Sequence, residues 1–305
     1  MNTIRIGTRG SPLALAQADM VAQALTANAG IPADRIEIVP IKTTGDRVLD
    51  RPLAELGGKG LFTKEIEAGL LDGTLDCAVH SGKDLETLLP APLTLGAFLP
   101  RADVRDVFIG RGGVRLADLP PGATVGTASL RRQALVRRER PDLKVDILRG
   151  NVQTRLAKLE AGVCDGTLLA LAGLVRLGKE DVATEILDTT RFPPACAQGA
   201  IVVEIRRDDD RMIEALAKVT DHDTEHAVAA ERGFLAALDG SCRTPIAGHA
   251  TIADGRVRFS GLVATPDGTR IEEISGEGPV AEAAELGYDL GKRLRTRVGP
   301  YFFES

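Results

Sequence analysis

The strongest chemical signal in the sequence is a set of arginines placed where predicted strands give way to helices. They are Arg9, after the first strand; Arg131 and Arg132, which open a helix capped by Ser129; Arg149, at a strand end; and Arg155, one turn into the next helix. Helix N-termini offer backbone N–H groups and the positive end of a dipole, and guanidinium groups bind carboxylate or phosphate bidentately. One such arginine alone is more often a solvated surface charge. Together they predict a site for a ligand with several separated carboxylates or phosphates.

One carboxylate, Asp84, is expected among these cations. It closes the segment 80–84, His-Ser-Gly-Lys-Asp, which directly follows a predicted strand, and it is the only acid that the pattern places beside the arginines. A carboxylate among cations stays ionised and can bind N–H donors or stabilise a cationic intermediate. The alternative is that Lys83 and Asp84 form a local ion pair at a turn.

The four cysteines differ in their surroundings. Cys242 lies in a turn-forming segment, 239–243, beside Arg243, which would lower the thiol pKa and favour a nucleophile or an attachment point. Cys196, in the turn 193–199, is the alternative. Cys77 and Cys164 lie in or beside apolar strand runs and are predicted to be buried thiols. The spacing is not C-x-x-C, and H-D-T-E-H at 222–226 lacks the H-E-x-x-H arrangement, so neither a disulfide framework nor a metal site is expected.

A glycine-rich segment, Gly57-Gly58-Lys59-Gly60, precedes a predicted helix. It lacks the G-x-x-x-x-G-K-[ST] frame of a nucleotide-binding loop. We interpret it as a lid that carries one cation, Lys59, with a plain solvent loop as the alternative. Phe62 behind it is either a core residue or a flat face for a ring.

Length and composition restrict the class of protein. A chain of 305 residues exceeds one ordinary domain of about 100–200 residues, so two or three domains are expected. A net charge of −5 and 3% aromatic residues argue against nucleic-acid binding and against adhesion to an anionic membrane. No export signal precedes the first strand, and no run approaches the roughly 18 apolar residues of a membrane helix. We therefore expect a soluble cytoplasmic protein.

Short β-branched runs alternate with helical patterns, which is typical of βα units and a largely parallel sheet. The predicted strands are 4–6, 36–41, 77–79, 107–109, 145–148 and 167–169, and Ser11 with Pro12 predicts a helix start. From about Ala200 the pattern changes to a strand (201–205), two helical stretches, three alternating strands (246–253, 256–263, 270–275) and a last helix from 281. The turns 253–255 and 266–268 predict antiparallel hairpins, so a separate α+β domain is expected after about Thr220.

The first two hundred residues contain two pairs of similar segments. Ile6-Gly7-Thr8 leading to Ser11 corresponds to Val125-Gly126-Thr127 leading to Ser129, and the strand after 73–76 corresponds to the strand after 162–165. Two similar lobes would explain both correspondences. In open α/β sheets ligands bind at the carboxyl ends of the strands, so a cleft between such lobes is the expected site.

Four long motifs resemble those of the porphobilinogen deaminases. They are residues 7–14 (GTRGSPLA), 57–62 (GGKGLF), 126–133 (GTASLRRQ) and 148–155 (LRGNVQTR), and the Cys242 loop is similar too. The resemblance runs from the first strand into the C-terminal domain. It implies an α/β protein of three domains: two lobes like type II periplasmic binding proteins (residues 1–99 with 200–219, and 100–199) with mixed, largely parallel sheets, and a smaller α+β domain (220–305).

The resemblance also implies an activity and roles for individual residues. Four porphobilinogen molecules are joined head to tail, with loss of ammonia, on a dipyrromethane cofactor held by a thioether to Cys242, and hydrolysis releases hydroxymethylbilane. Asp84 would hold pyrrole N–H groups and assist the loss of ammonia. Carboxylates would be bound by Arg9, Lys83, Arg131, Arg132, Arg149, Arg155 and Arg176, while Ser81, Thr127, Ser129 and Gln198 line the site. Lys59 and Phe62 are assigned to the substrate side, and a monomer is expected.

Three positions depart from the family pattern. Gly82 replaces a Met or Leu, Glu86 replaces a Pro, and Ala197 stands where a Gly precedes Gln198. Gly82 adds backbone freedom and Ala197 removes it. A two-lobed anion-binding protein without catalysis is the alternative function, but it requires neither Asp84 nor a reactive Cys242.

Overall fold

The structure is a computed structural model that describes residues 3–47, 60–240, 244–299 and 302. The strands are β1 Ile4–Arg9, β2 Ile36–Ile41, β3 Cys77–Ser81, β4 Leu93–Phe98, β5 Asp106–Gly110, β6 Thr124–Gly126, β7 Lys144–Asp146, β8 Gly166–Ala170, β9 Glu185–Ile186, β10 Ile201–Arg206, β11 Ile246–Ala253, β12 Arg256–Ala264 and β13 Ile271–Pro279. The helices are α1 Pro12–Ala29, α2 Thr44–Arg47, α3 Lys64–Leu71, α4 Leu130–Glu139, α5 Val152–Glu160, α6 Leu171–Val175, α7 Asp210–Ala217, α8 His222–Ala237 and α9 Ala283–Val298. All predicted strands are present; β4 and β9 were not predicted, and the strand predicted over 145–148 ends earlier, at Asp146.

The chain divides into two compact units. Unit 1 contains residues 1–102 and 199–225, and unit 2 contains residues 103–198 and 226–305. Each unit is built around a five-stranded sheet, and unit 2 also contains the three-stranded sheet β11-β12-β13. The division of unit 2 into a second lobe and a C-terminal domain, with the boundaries given above, stays a prediction.

The two five-stranded sheets share one strand pattern. In unit 1 the order is β2-β1-β3-β10-β4, and in unit 2 it is β7-β6-β8-β5-β9. In each sheet the first two pairings are parallel and the last two antiparallel, because one strand, β10 or β5, runs opposite to both of its neighbours. β1 and β6 occupy equivalent positions, as do β3 and β8, which confirms both pairs of similar segments found in the sequence. The fold class is confirmed as well: two α/β lobes with mixed sheets and a small α+β C-terminal part.

The predicted start of α1 is correct in detail. The Ser11 hydroxyl accepts a hydrogen bond from the Ala14 N–H at 3.2 Å, and Pro12 occupies the first helical position. Ala18, Val21 and Leu25 are buried on one face and pack on the sheet with Ile6 and Val203. A proline at this position gives up an N–H that no helical carbonyl could accept, so the cap and the ring fix where the helix begins. The end of β1 and the start of α1 are thereby held close together, which places Arg9.

The C-terminal sheet is antiparallel throughout, as predicted. β11 pairs with β12 from Ile246↔Val263 to Ala253↔Arg256, and Asp254 and Gly255 form the turn with φ of 52° and 69°. Two consecutive positive φ values define the turn type that favours Asp-Gly and matches the twist of a hairpin. The helices α8 and α9 cover this sheet through a core that includes Phe234, Phe259 and Leu290.

Candidate functional site

In unit 1 a small cavity opens where β1 and β3 end. Its volume is about 50 Å³, and the residues that line it include Arg9, Phe62, His80, Ser81 and Asp84. Parallel strands end at the same edge of a sheet, which explains why segments some 70 residues apart meet here. Lys83 lies in the same single helical turn as Asp84, Gly82–Asp84, at the end of β3. Of the predicted site residues, the structure brings Arg9, Phe62, Ser81 and Asp84 to one cavity.

The aromatic ring of Phe62 serves as a face for Arg9. The guanidinium carbon of Arg9 lies 4.2 Å from the centre of the Phe62 ring, and both side chains are half-buried. A cation over an aromatic face is attracted by the ring quadrupole, and the contact also limits the rotamers of the arginine. Arg9 is thus held with its charge at the cavity.

The turn that carries Asp84 is fixed by its backbone and by Ser81. The Gly82 N–H donates to the Ala200 carbonyl at 3.0 Å, and the Gln17 amide donates to the Ser81 hydroxyl at 2.9 Å. Gly82 is buried, and Asp84 is exposed at the cavity. The departure at Gly82 therefore sits in an ordered turn. At the second departure, a Glu86 carboxylate oxygen accepts the Gly60 N–H at 2.8 Å and so fixes the end of the glycine-rich segment.

Sequence reasoning missed a buried pair of a histidine and a glutamate at this cavity. His80 Nε2 lies 3.0 Å from a carboxylate oxygen of Glu204, and the two side chains are 5% and 0% exposed. They come from adjacent antiparallel strands, β3 and β10. Burial, together with the Glu204 charge, raises the pKa of the nearby Glu67 carboxyl. No spacing rule could have found a pair separated by more than a hundred residues.

In unit 2 the two adjacent arginines converge on one carboxylate. Arg131 and Arg132 donate to the two oxygens of Asp106, at 2.8 Å and 2.7 Å, and all three side chains are buried. Asp106 lies at the start of β5. The expectation that Asp84 is the only acid beside the arginines is therefore wrong, because a strand that enters from elsewhere in the chain brings a second carboxylate to them.

Gln198 belongs to the same group. Its amide nitrogen donates to Asp106 at 2.8 Å and to the Val104 carbonyl at 2.7 Å. The preceding residue, Ala197, has φ of 59°, a left-handed conformation that favours glycine. Buried Glu231 holds this turn, since it accepts the N–H groups of Ala197 at 2.5 Å and of Ala250 at 2.7 Å. The third departure from the family pattern is thus a strained residue that is locked by a carboxylate.

Ser129 and Thr127 shape the start of α4. The Ser129 hydroxyl accepts the Arg132 N–H at 3.4 Å, and the Ser129 N–H donates to the Thr127 hydroxyl at 3.3 Å. The predicted cap is confirmed. Arg131 and Arg132 then lie in the first turn of α4.

The remaining predicted arginines follow β7 and β8. Arg149 lies beyond the end of β7, and the Arg155 Nε donates to the Gly150 carbonyl at 2.8 Å. Arg176 directly follows α6, and its burial lowers its pKa to about 10. The cause is desolvation, which disfavours the charged form of a guanidinium. Whether these three arginines bind the same ligand as Arg131 stays a prediction.

The described thiols are buried. Cys77 and Cys164 are 0% and 3% exposed, as predicted, and burial raises the pKa of Cys77 to about 12. Cys196 does lie in a turn, but it is 4% exposed and its sulfur packs against Gly248, where a Cβ would lie only 2.6 Å away. A neutral, enclosed thiol is a poor nucleophile. Cys242 and Lys59 lie outside the described residues.

The described part of the chain contains neither a metal-binding cluster of side chains nor a membrane-spanning helix. No group of three or more histidine, cysteine, aspartate or glutamate side chains in it is arranged to hold a metal ion. No helix in it combines the length and the apolar character needed to span a bilayer.

The fold is that of an α/β protein of two compact units, each of which contains arginine side chains and a carboxylate at the ends of its strands and helices. The sequence model named "porphobilinogen deaminase, dipyrromethane cofactor binding domain" matches residues 4–214, and the C-terminal domain model of the same family matches residues 226–296. The chain is 58% identical over 298 residues to the porphobilinogen deaminase of Nitrobacter winogradskyi, which covers 98% of this chain and 94% of that protein. The chain belongs to the porphobilinogen deaminase family. It is accordingly an enzyme of the transferase class, and the family match does not support an anion-binding protein without catalysis.

Solved structures with similar folds are more distant. The periplasmic VFT2 domain of BvgS from Bordetella pertussis is 17% identical with a TM-score of 0.42, and the match covers 72% of this chain and 86% of that one. An ancestral arginine-binding protein bound to arginine is 16% identical with a TM-score of 0.40, over 72% of this chain and 91% of that one. The assignment rests on the family match.

Proposed function

We propose that this enzyme joins four porphobilinogen molecules head to tail on a dipyrromethane carried by Cys242, with loss of ammonia at each addition. Hydrolysis then releases hydroxymethylbilane and leaves the dipyrromethane on the protein. The observation that carries the proposal is the buried group of Arg131, Arg132 and Asp106, which holds two positive charges against one negative charge.

This group is suited to a dipyrromethane. Each pyrrole bears two carboxylate side chains, and among the described residues the Nε–H groups of Arg131 and Arg132 have no hydrogen-bond partner. Buried donors without partners are costly, and a buried excess of positive charge is costlier. A ligand carboxylate would neutralise the excess positive charge and would accept hydrogen bonds from these Nε–H groups. We assign Arg131, Arg132, Lys83, Ser81, Thr127, Ser129 and Gln198 to the dipyrromethane.

When bound, the dipyrromethane supplies a nucleophilic pyrrole carbon to which the first substrate is joined. Asp84 acts on the incoming substrate. The substrate reacts with its aminomethyl group protonated: as the carbon–nitrogen bond breaks, the electron pair leaves with the nitrogen as ammonia, and the positive charge passes to the pyrrole. The Asp84 carboxylate accepts the pyrrole N–H and stabilises this positive charge. Its exposed position at the cavity, next to the cation of Arg9, supports that role.

The substrate carboxylates are assigned to the other cations. Arg9 is held over Phe62 and presents its charge beside Asp84, which suits a small substrate with an amine and two carboxylates. We assign Arg149, Arg155, Arg176, Lys59 and Phe62 to the substrate and the growing chain. Different arginines are then available to successive pyrroles.

The burial of the other three thiols supports attachment of the dipyrromethane at Cys242. Cys77, Cys164 and Cys196 are all buried, and burial raises the pKa of Cys77 and Cys164. Only a thiol that reaches solvent as thiolate can form the thioether at a useful rate. The exposed turn predicted around Cys242 meets that requirement.

The intact mass of the purified protein tests the proposal. We expect a mass above that of the sequence by two condensed pyrrole units, and a positive reaction with a pyrrole-specific aldehyde reagent. Cys242→Ser should abolish both signals, and the matched control Cys196→Ser should keep them. An unmodified mass in active protein would refute the proposal, and loss of the signal only in Cys196→Ser would move the attachment.

We also infer three domains (1–99 with 200–219, 100–199 and 220–305) and a monomer that works in the cytoplasm. The thiols of Cys77 and Cys164, which form no disulfide in the described part of the chain, suit a reducing compartment. Light scattering coupled to size-exclusion chromatography, which should give the mass of a single chain, tests the monomer.

A further inference from the structure

The side chain of Asp106 is the point at which three proposed ligand-binding side chains meet. One carboxylate oxygen accepts from Arg131 at 2.8 Å, and the other accepts from Arg132 at 2.7 Å and from Gln198 at 2.8 Å. Asp106 is 0% exposed. It is the first residue of β5, so its backbone is fixed by the sheet.

Each of the three side chains is also held at a second point. Arg131 donates to the Pro193 carbonyl at 2.6 Å, Arg132 to the Leu168 carbonyl at 2.9 Å, and Gln198 to the Val104 carbonyl at 2.7 Å. Two fixed hydrogen bonds to a planar guanidinium determine both its position and its orientation. Without the carboxylate, each side chain would lose one of the contacts that fix it.

The charges in this group make the carboxylate's role testable. Burial, and the neighbouring Arg132, lower the pKa of Arg131, while Asp106 opposes this effect. Two guanidinium groups and one carboxylate leave a net charge of +1. If anion binding depended on charge alone, neutralising Asp106 would raise the net charge to +2 and strengthen binding.

We propose that Asp106 is a positioning residue: it holds Arg131, Arg132 and Gln198 in the arrangement that receives carboxylates of the dipyrromethane. Asp106 acts through these side chains, and as an anion it is itself unsuited to contact a carboxylate. The inference rests on the proposed binding roles of Arg131 and Arg132. It makes the opposite prediction to the charge argument, because loss of the negative charge weakens binding.

Two variants of the holoenzyme test this inference. Asp106→Asn keeps the shape and removes the charge, and Asp106→Glu keeps the charge and moves the oxygens by one methylene. We expect both to lower the ratio of primer-bearing to bare chains, measured by intact mass, by about 10- to 100-fold, the scale of a lost hydrogen bond to a charged group. The KM for porphobilinogen should change less than that ratio, because the substrate is assigned to other arginines. Asp103→Asn, which breaks an exposed ion pair with Arg105, is the matched control.

Each result decides the question. Primer-bearing chains at the parental ratio or above it in Asp106→Asn would overturn the inference in favour of charge alone, and a parental ratio in Asp106→Glu would also overturn it. If thermal unfolding shows that neither variant folds, Asp106 serves the fold and the inference fails. Arg131→Leu and Arg132→Leu, measured alongside, keep the two proposals apart. A parental ratio in those variants would refute the proposed binding roles, whereas a loss there with intact Asp106 variants would refute only the positioning role.

Discussion

The left-handed backbone at Ala197 leads to a quantitative prediction about stability. For a residue with a Cβ, the left-handed conformation costs roughly 1–2 kcal/mol, a cost that glycine does not bear. Ala197→Gly relieves that strain, but it also removes a buried methyl group and adds chain entropy to the unfolded state. Those two losses amount to about 1–2 kcal/mol together. We therefore expect Ala197→Gly to leave the free energy of unfolding nearly unchanged.

A matched control isolates the strain. Ala264 also lies in unit 2, is 1% exposed, and is not among the residues with positive φ. Ala264→Gly suffers the same two losses without relief, so Ala197→Gly should be the more stable variant by about 1–2 kcal/mol. Denaturant unfolding followed by circular dichroism measures the difference. Equal destabilisation of the two variants would show that the Ala197 conformation stores no strain.

Two further predictions concern the unit 1 cavity. Asp84→Asn should lower kcat by at least about 100-fold with the fold retained, because the amide cannot stabilise the cationic pyrrole as a carboxylate does; near-normal turnover in a steady-state assay would reduce Asp84 to a structural role. Glu67 has a raised pKa because of burial first and Glu204 second, so its folded state holds the proton more tightly than its unfolded state and stability falls as the pH rises through that window. The melting temperature of Glu67→Gln should therefore exceed that of the parent at pH 7–8, and the difference should disappear below pH 4.5, the ordinary pKa of this carboxyl. The exposed control Glu214→Gln should show no such difference at either pH. A difference that is independent of pH would contradict the assignment.

Local features of the fold could be predicted from the sequence, whereas contacts between distant segments could not. The Ser11 and Ser129 caps, the hairpin at Asp254-Gly255 and the equivalence of β1 with β6 follow from short-range spacing, and all are present. The pairing of Asp106 with Arg131 requires β5 to lie beside β8, a relation that no local pattern encodes.

In the candidate site, too, local features could be predicted and contacts between distant segments could not. The motifs placed Arg131, Arg132 and Asp84 correctly at strand and helix ends, because those positions depend on local structure. The sequence pattern did not identify Asp106, the acid whose charge offsets one of the two arginines. The burial of this group is a property of the assembled sheet.

The insertion of β10 between β3 and β4 has a consequence for synthesis on the ribosome. β4 ends at Phe98 and β10 begins at Ile201, so about 100 residues are made while the two strands that flank β10 lack their neighbour. At translation rates of about 5–20 residues per second, that interval lasts roughly 5–20 s. During it, the nascent chain exposes two open strand edges, which are templates for mispairing. A chaperone that binds the first lobe during this interval would protect both edges.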